Sequence, residues 1–276
     1  MSENDTILEV KDACVTFRKR NSEVKAVDHI SLTMRRGAML GLVGESGSGK
    51  STLAKAIMGM QPLDSGSIVI DGTTQQDRAR LKGHDKSSIV QMVFQDPYSS
   101  LNPRMNVGDA IAEVLDTYEN LDAKASRASV EELLDLVHLP AEVADKFPAQ
   151  LSGGMRQRVA IAKCLAVRPK LIVADEITSA LDVSVQAVVL NLLNSLHERL
   201  GLSMLFISHN LAAVRYICDD IAVMHHGRIV ETGGAEQIVT APRDPYTQSL
   251  VNAIPSLDDA GRDVLLDPAL VAEADA

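Results

Sequence analysis

The sequence has few aromatic residues, few cysteines and no long apolar run. Tryptophan is absent, and aromatic residues make up 3% of the 276 residues. The three cysteines, Cys14, Cys164 and Cys218, are far apart and form no C-x-x-C pair, which argues against a disulfide framework or a cysteine-rich metal site and fits a reducing cytoplasm. No stretch approaches the roughly 20 apolar residues of a membrane-spanning helix, and the polar, acidic N-terminus shows no secretory signal. These absences favour an ordinary soluble globular protein.

Positive charge is also in short supply. The net charge is −10, which argues against nucleic acid as a main ligand. Residues 257–276 contain six acidic residues and one basic residue, so that half of the excess, −5, lies in this tail. We expect the tail to be solvated and partly disordered, and the rest of the chain to be only mildly acidic.

The most informative segment is a complete phosphate-binding loop, Gly44-Glu-Ser-Gly-Ser-Gly-Lys50-Ser51. It follows an apolar strand and opens a helix, which is the context that this motif needs; the alternative is a glycine-rich turn before a helix. Glycines let backbone N–H groups turn toward phosphates at the positive end of the helix dipole. Lys50 is predicted to reach the β- and γ-phosphates, and Ser51 to bind Mg²⁺. The predicted nucleotide contacts are Gly44, Glu45, Ser46, Gly47, Ser48, Gly49, Lys50, Ser51 and Thr52.

Strands and helices alternate along the chain, apart from a helical block at about 105–168 and a polar segment at 73–87 without an apolar period, which we interpret as a surface excursion. Residues 221–233 suggest a hairpin that turns at His226-Gly227. The order of the elements predicts an α/β fold with a phosphate-loop NTPase core, a mostly parallel sheet, an antiparallel β subdomain on the N-terminal side and a helical insertion subdomain.

Two acidic residues follow the apolar strand 171–175. In a phosphate-loop enzyme the first, Asp175, holds Mg²⁺, usually through water. The second, Glu176, can orient and deprotonate the attacking water as a general base. The alternative is that both are helix N-terminal acids without a catalytic role, which is common for isolated Asp-Glu pairs.

The segment Leu151-Ser152-Gly153-Gly154 begins a long helix. Small residues expose backbone N–H groups and let a phosphate of another molecule come close. Taken alone, the segment is more simply a capped helix start.

Together these motifs resemble the ATPase subunit of an ABC transporter, in which a Leu-Ser-Gly-Gly signature lies between a phosphate loop and an Asp-Glu pair. The resemblance implies that Gln95 contacts Mg²⁺ and nucleotide, that Ser179-Ala-Leu-Asp182 lies at a dimer interface, and that His209 holds the γ-phosphate. It places Phe17 where an aromatic ring stacks on adenine, although an ordinary strand residue is an equal alternative. The catalytic set is Glu176, His209 and Gln95, and the metal set is Ser51, Gln95 and Asp175. Ile177 departs from the family pattern, in which proline follows the glutamate, and this should loosen the turn.

The resemblance also implies partners. Two such subunits pair head to tail, with ATP between one phosphate loop and the signature (Ser152, Gly153, Gly154) and Asp182 of the other. They act on membrane-spanning permease subunits at the cytoplasmic face of the membrane, and indirectly on a solute-binding protein. Three segments, 95–104, 179–186 and 242–247, are similar to the oligopeptide, dipeptide and nickel importer branch, in which a heterodimer is the commoner arrangement. The alternatives are a catalytically silent ATP-binding module and a soluble ABC ATPase that takes no part in transport.

The predicted boundaries are 1–256 for the ABC ATPase domain and 241–276 for a C-terminal extension with the acidic tail. Within the domain, a RecA-like core comprises 1–95 and 169–240, and the helical subdomain spans about 96–168.

Overall fold

The structure is a computed structural model that describes residues 5–19, 22–96, 100–118 and 121–253. The acidic tail and part of the 95–104 segment therefore lie outside the described residues. Strands within the described ranges are β1 (Thr6–Lys19), β2 (Ser22–Arg35), β3 (Met39–Val43), β4 (Ser65–Ile70), β5 (Thr73–Thr74), β6 (Val90–Val93), β7 (Leu171–Asp175), β8 (Ser203–Ser208), β9 (Asp220–His225) and β10 (Arg228–Gly234). Helices there are α1 (Lys50–Met58), α2 (Gln75–Arg80), α3 (Gly83–Ser87), α4 (Val107–Tyr118), α5 (Ala123–Leu136), α6 (Gly153–Leu165), α7 (Val183–Leu200), α8 (Leu211–Ile217), α9 (Ala235–Thr240) and α10 (Pro245–Asn252).

The strands form two sheets. The antiparallel sheet has the order β2-β1-β4-β5, and the larger sheet has the order β10-β9-β3-β8-β7-β6. In the larger sheet only the β9–β10 hairpin is antiparallel. The predicted fold class, a mostly parallel sheet with an antiparallel β group, is confirmed.

The central strands of the larger sheet are apolar because both of their faces are covered. Every residue of β3, β7 and β8 is buried, as is usual for parallel strands with helices on both sides. The strands β3, β6, β7 and β8 run in parallel, so their carboxyl ends lie at one edge of the sheet. The phosphate loop, Gln95, the Asp175-Glu176 pair and His209 follow those four ends.

The helical block contains α4, α5, two short 3-10 helices and α6. Fully buried side chains such as Ile111, Leu134 and Val159 join it to the hydrophobic core on one side of the larger sheet. This block therefore packs against the sheet through an apolar face, as its helical periodicity predicts.

The segment 73–87 differs from the predicted surface excursion. It forms β5 and the short helices α2 and α3, and Arg78 is only 4% exposed. Helices of five or six residues span less than two turns, so they cannot show an apolar period in the sequence.

None of the helices in the described segments is both long enough and apolar enough to cross a bilayer.

Candidate nucleotide-binding site

The phosphate loop, residues 44–51, connects β3 to α1 and requires glycine at two positions. Gly44 has a φ of 156°, and a Cβ there would lie 2.1 Å from the carbonyl oxygen of Met224. Gly49 has a φ of 109°, and its Cβ would lie 2.0 Å from the carbonyl oxygen of Ala26. Larger residues at either position would push the loop away from both sheets, so these glycines fix the position of the loop.

Lys50 lies inside the loop. Its Nζ donates hydrogen bonds to the carbonyl oxygens of Gly44 at 2.7 Å and Glu45 at 2.9 Å. Burial lowers the pKa of the ammonium, while the nearby negative charges of Glu176 and Asp175 oppose that shift. Hydrogen bonds to a charged acceptor are about twice as strong as those to a neutral one. Phosphate oxygens could therefore displace the two carbonyl partners.

The remaining predicted contacts within the loop are Ser46, Gly47 and Ser48, and Thr52 follows as the third residue of α1. A Cβ at Gly47 would meet no atom within 4 Å, so the loop faces open space there. The hydroxyl of Ser48 is buried and has no hydrogen-bond partner within the described segments. An open, glycine-lined cradle with an unpartnered hydroxyl and a buried ammonium fits a polyphosphate group.

Ser51 and Asp175 face each other across the end of β7. The hydroxyl of Ser51 donates to Oδ1 of Asp175 at 3.4 Å. Burial is the main cause that raises the pKa of the Asp175 carboxyl, and the charge of Glu176 adds to it, while Ser51 acts in the opposite direction. Hydroxyl and carboxylate oxygens suit Mg²⁺, which usually keeps several water ligands and accepts few from the protein. The pair therefore fits a magnesium site.

Glu176 is held by its backbone in an unusual conformation. Its φ is 49°, in the left-handed region, and its N–H donates to the carbonyl oxygen of Ile207 at 2.9 Å. The carboxylate Oε1 lies 3.6 Å from Nδ1 of His209, just after β8. Strained backbone of this kind is often found at functional sites. The turn thus presents a carboxylate and an imidazole beside the loop that holds Lys50.

Gln95 has a different partner from the other two predicted metal ligands. Its Nε2 donates to the hydroxyl of Ser179 at 3.0 Å, and that hydroxyl donates to the carbonyl oxygen of Glu176 at 2.8 Å. Among the hydrogen bonds of the described residues, none joins Gln95 to Ser51 or Asp175. The structure therefore brings two of the three predicted metal ligands together and links the third, Gln95, to the segment 179–182.

The signature lies at the start of α6. The hydroxyl of Ser152 accepts the N–H of Met155 at 3.2 Å and caps the helix. Gly154 packs against α7 so closely that a Cβ there would lie 2.4 Å from Cγ1 of Val185, whereas a Cβ on Gly153 would be in ordinary contact, 3.6 Å from Leu181. Ser152 is thus a helix-capping residue, as the simpler interpretation of the segment predicts. Gly154 is also needed for the packing of α6 against α7.

Asp182 caps α7 next to the signature. Its carboxylate accepts hydrogen bonds from the N–H of Val185 at 3.0 Å and from the hydroxyl of Ser184 at 2.8 Å, and these bonds hold its pKa below the usual range. Within the described ranges, no hydrogen bond connects the signature or Asp182 to the phosphate loop of the same chain. Phe17 is likewise placed away from the core, with 43% of its surface exposed on β1 opposite Val24.

Comparisons with known proteins agree with this geometry. The profile of the ABC transporter family matches residues 27–179, and that of the oligopeptide/dipeptide transporter C-terminal region matches residues 230–273. The chain is 47% identical over 264 residues to the oligopeptide transport ATP-binding protein OppF of Streptococcus mutans, which covers 94% of this chain and 85% of that protein. It belongs to the ABC transporter ATP-binding family.

Two further comparisons support the assignment. OppF of Bacillus subtilis is 45% identical over 256 residues, covering 92% of this chain and 84% of that protein. The dimeric structure of the ATP-binding cassette MJ0796, in a post-hydrolysis state bound to ADP and Pi, has a TM-score of 0.73 and 26% identity, and covers 83% of this chain and 99% of that one. The chain is therefore an ABC ATPase with a nucleotide-binding cassette fold.

The ABC ATPase also has a contact with the phosphate loop that motif analysis missed. The hydroxyl of Tyr246, on α10, accepts the backbone N–H of Glu45 at 2.9 Å. The Tyr246 ring stacks on His225, with centroids 3.7 Å apart and an interplanar angle of 9°. Residues 242–247 gave a signal in the sequence, but only as a mark of the importer branch. The two bonded residues are 201 positions apart in the sequence, so no local pattern indicates the contact.

A second missed support is the turn between β9 and β10. The N–H of Gly227 donates to the carbonyl oxygen of Ser48 at 2.9 Å, and its own carbonyl oxygen accepts the N–H of Asp28 at 2.8 Å. The predicted hairpin turn thus lies between the phosphate loop and the antiparallel sheet. Because it contacts both, it positions the loop relative to the strand group that carries Phe17.

Proposed function

We propose that this chain is the ATP-hydrolysing subunit of an ABC importer of peptides or similar small solutes. The observation that carries the proposal is the group formed at one edge of the larger sheet by Lys50, Ser51, Asp175, Glu176 and His209. Lys50 is buried within a phosphate-binding loop, the Ser51 hydroxyl meets Asp175 at 3.4 Å, and Glu176 lies 3.6 Å from His209. The similar proteins named as oligopeptide transport ATP-binding proteins support the choice of cargo class.

Each of these residues has its own proposed role in ATP hydrolysis. Lys50 and the N–H groups of the loop bind the β- and γ-phosphates. Ser51 and Asp175 would hold Mg²⁺, and Gln95, which bonds Ser179 here, would be a further ligand. When bound, Mg²⁺ neutralises charge that develops on the phosphate oxygens. Glu176 orients the attacking water and accepts its proton, and His209 holds the γ-phosphate.

Two subunits are needed to enclose the nucleotide. At the starts of α6 and α7, Ser152 and Asp182 are exposed, Gly153 is half-exposed and Gly154 is buried. These four residues are proposed to serve the phosphate loop of a second subunit. Phe17 provides a partly exposed aromatic face for adenine. The second subunit is proposed to be a related ABC ATPase in a heterodimer, with a homodimer as the alternative.

The subunit is proposed to act at the cytoplasmic face of the membrane. The core at 1–95 and 169–240 holds the nucleotide, and the helical subdomain at about 96–168 passes the motion to membrane-spanning permease subunits. The link from Gln95 through Ser179 to Glu176 supports this division, because it connects the last residue before the helical subdomain to the proposed catalytic turn. A solute-binding protein supplies the cargo without touching this chain.

The transport assignment is tested by purifying the tagged chain from detergent-solubilised membranes and identifying the co-purifying proteins by mass spectrometry. We expect two multi-span proteins and a second, related ATPase. The recovery of soluble partners alone would contradict transport and support a soluble ATPase. The recovery of the permeases with this chain as the sole ATPase would replace the heterodimer with a homodimer.

The hydrolytic assignment is tested separately with Glu176→Gln. We expect ATP binding to persist while turnover falls on the order of 100- to 10,000-fold, the usual contribution of a general base. Glu198→Gln, an exposed glutamate at the end of α7, is the matched control and should keep wild-type turnover. If Glu176→Gln hydrolyses ATP at the wild-type rate, another group is the base. If the wild-type chain in its complex binds ATP without turnover, the regulatory alternative is correct.

A further inference from the structure

A large cavity lies away from the nucleotide site, between the end of α1, the strand β4, the short helices α2 and α3, and β6. Its volume is about 980 Å³, at the upper end of the range for sites of small molecules. One wall is apolar, with Met58, Leu63 and Val90, and the rest carries hydroxyl and amide groups, including those of Ser67 and Gln91.

The unusual residue of this cavity is Arg78, which belongs to α2. It is 4% exposed, and its Nε and Nη2 atoms are buried without a hydrogen-bond partner within the described part of the chain. No ion pair between described residues includes it. Burial alone lowers its pKa to about 10, so the guanidinium is still charged at neutral pH. A buried charge without a partner is strongly unfavourable, and native proteins usually pair it.

The one acidic residue among the described residues that line the cavity does not pair with Arg78. Asp64 also lines the cavity, but its Oδ2 accepts the N–H of Thr16 at 2.7 Å, which directs the carboxylate toward β1. Asp77, on the same helix as Arg78, is bound to Thr74 and Arg80. A second cation, Lys86, stands exposed at the rim of the cavity. The cavity therefore has two positively charged side chains, and its one carboxylate, Asp64, is bonded to Thr16.

We propose that this cavity binds a small-molecule anion whose carboxylate or phosphate group pairs with the guanidinium of Arg78. Because Nε and Nη2 have almost no accessible surface, the anion meets the remaining nitrogen, Nη1, through a charge-assisted N–H···O bond. Lys86 adds a second attraction at the entrance, and the apolar wall accommodates the body of a metabolite-sized ligand. The site is independent of the phosphate loop, because the two sets of lining residues share no member.

The test must separate this cavity from the phosphate loop, which also attracts anions. Lys50→Ala removes the main cation of the loop, and the full-length variant is titrated calorimetrically with inorganic phosphate and with citrate at constant ionic strength. We expect saturable binding of at least one of the two, and the preferred probe identifies phosphate or carboxylate as the recognised group. The absence of binding of both probes to Lys50→Ala would overturn the proposal.

The role of Arg78 is tested in the same background. Lys50→Ala/Arg78→Met should bind the preferred anion about 10- to 100-fold more weakly, the usual cost of losing a charged hydrogen bond. Arg80→Met, on the same helix but exposed and paired with Asp77, is the matched control and should leave the affinity unchanged. Equal binding with and without Arg78 would contradict the proposal.

Stability provides an independent readout. Without anion, Arg78→Met should raise the thermal midpoint, because it removes an unpaired buried charge while keeping most of the side-chain volume. Should this variant fail to fold, Arg78→Lys keeps the charge but replaces the guanidinium with a compact ammonium that does not reach the position of Nη1, and a loss of anion affinity is again expected. Unchanged affinity in Arg78→Lys would show that Nη1 does not bind the anion.

Discussion

Asp175 and Glu176 are neighbours in the chain but lie in different environments. Asp175 ends a fully buried strand and meets Ser51, and its pKa is raised mainly by burial. Glu176 turns out of the strand through a left-handed backbone, and its side chain reaches His209. Ile177, which follows, is buried in the hydrophobic core. The two neighbouring acids thus lie in environments that suit their separate proposed roles, holding a metal and accepting a proton.

The raised pKa of Asp175 predicts a stability gain on neutralisation. Below the ordinary carboxyl pKa the residue is protonated in both the folded and the unfolded state and has no effect. As pH rises above that value, the unfolded state ionises first, so the free energy of unfolding decreases until the folded state has also ionised. We therefore expect Asp175→Asn, without nucleotide, to raise the thermal midpoint at neutral pH by a few degrees.

Two measurements check this expectation. Thermal unfolding should show that the difference between Asp175→Asn and the wild type disappears near pH 3, below the ordinary carboxyl pKa. Asp135→Asn, an exposed acid on α5, should show no such difference. A midpoint for Asp175→Asn that is lower than wild type at neutral pH would mean that the ionised carboxylate stabilises the fold, contrary to this account.

At the scale of elements, the contact between α6 and α7 depends on the absence of a side chain at Gly154. We expect Gly154→Ala to destabilise the protein by about 1–3 kcal/mol, the usual cost of overpacking, because its Cβ would meet Val185 at 2.4 Å. Chemical denaturation measures the loss, and Val185→Ala in the same chain should recover part of it. Gly153→Ala is the matched control, since its Cβ has room and alanine favours a helix.

The pair also separates packing from function. Gly153→Ala should keep the stability of the protein but lower the ATPase activity of the assembled transporter. The reason is that a Cβ at this position would obstruct the phosphates of ATP bound in the loop of the proposed second subunit. Full activity of that variant would argue that the signature does not contact nucleotide closely.

The helix α10 is joined to the phosphate loop through one hydroxyl. Tyr246→Phe removes the acceptor for the Glu45 N–H and keeps the ring that stacks on His225. Since a neutral hydrogen bond contributes about 1 kcal/mol, we expect the KM for ATP to increase on the order of fivefold while kcat stays near wild type. His225→Ala, which removes the stacking partner, should cost stability more than it changes KM. A fall in kcat at unchanged KM would contradict a role in positioning the loop.

At the scale of the whole molecule, Asp28 and Arg228 connect the two sheets. Both Nε and Nη2 of Arg228, on β10, lie 2.6 Å from Oδ2 of Asp28, on β2. The bond from Arg228 is the main cause that lowers the pKa of Asp28. Residues 200 positions apart in the chain thus fix the antiparallel sheet against the hairpin that supports the phosphate loop.

A lowered carboxyl pKa stabilises the protein above the unfolded-state value, and this contribution is lost as pH falls through the folded-state value. We expect Arg228→Met to lower the thermal midpoint at neutral pH, and the deficit to shrink as the pH falls toward about 3. The effect should be modest, because the arginine is largely exposed and solvent screens the pair. Arg35→Met, from the exposed pair with Asp220, should change the midpoint less. A deficit that does not depend on pH would indicate packing rather than charge.

Much of the nucleotide site could be predicted from the sequence, because its parts are short motifs at strand ends. Residues 44–51, the Asp175-Glu176 pair and the signature each carry their chemistry in a few adjacent residues. Parallel strands bring their carboxyl ends to one edge, and the polar residues that follow those strands therefore lie at the same edge in the structure.

The sequence alone determined the fold class and the family and led to the proposed reacting groups, since these depend on local patterns of residue type and spacing. Only the tertiary structure decided that Tyr246 bonds the phosphate loop, that Gly227 lies between Ser48 and Asp28, and that Arg78 is buried without a partner. The reason is physical, because these features depend on which distant segments pack together and on how much water they exclude. The residues next to a side chain in the sequence do not determine how that side chain packs or how deeply it is buried.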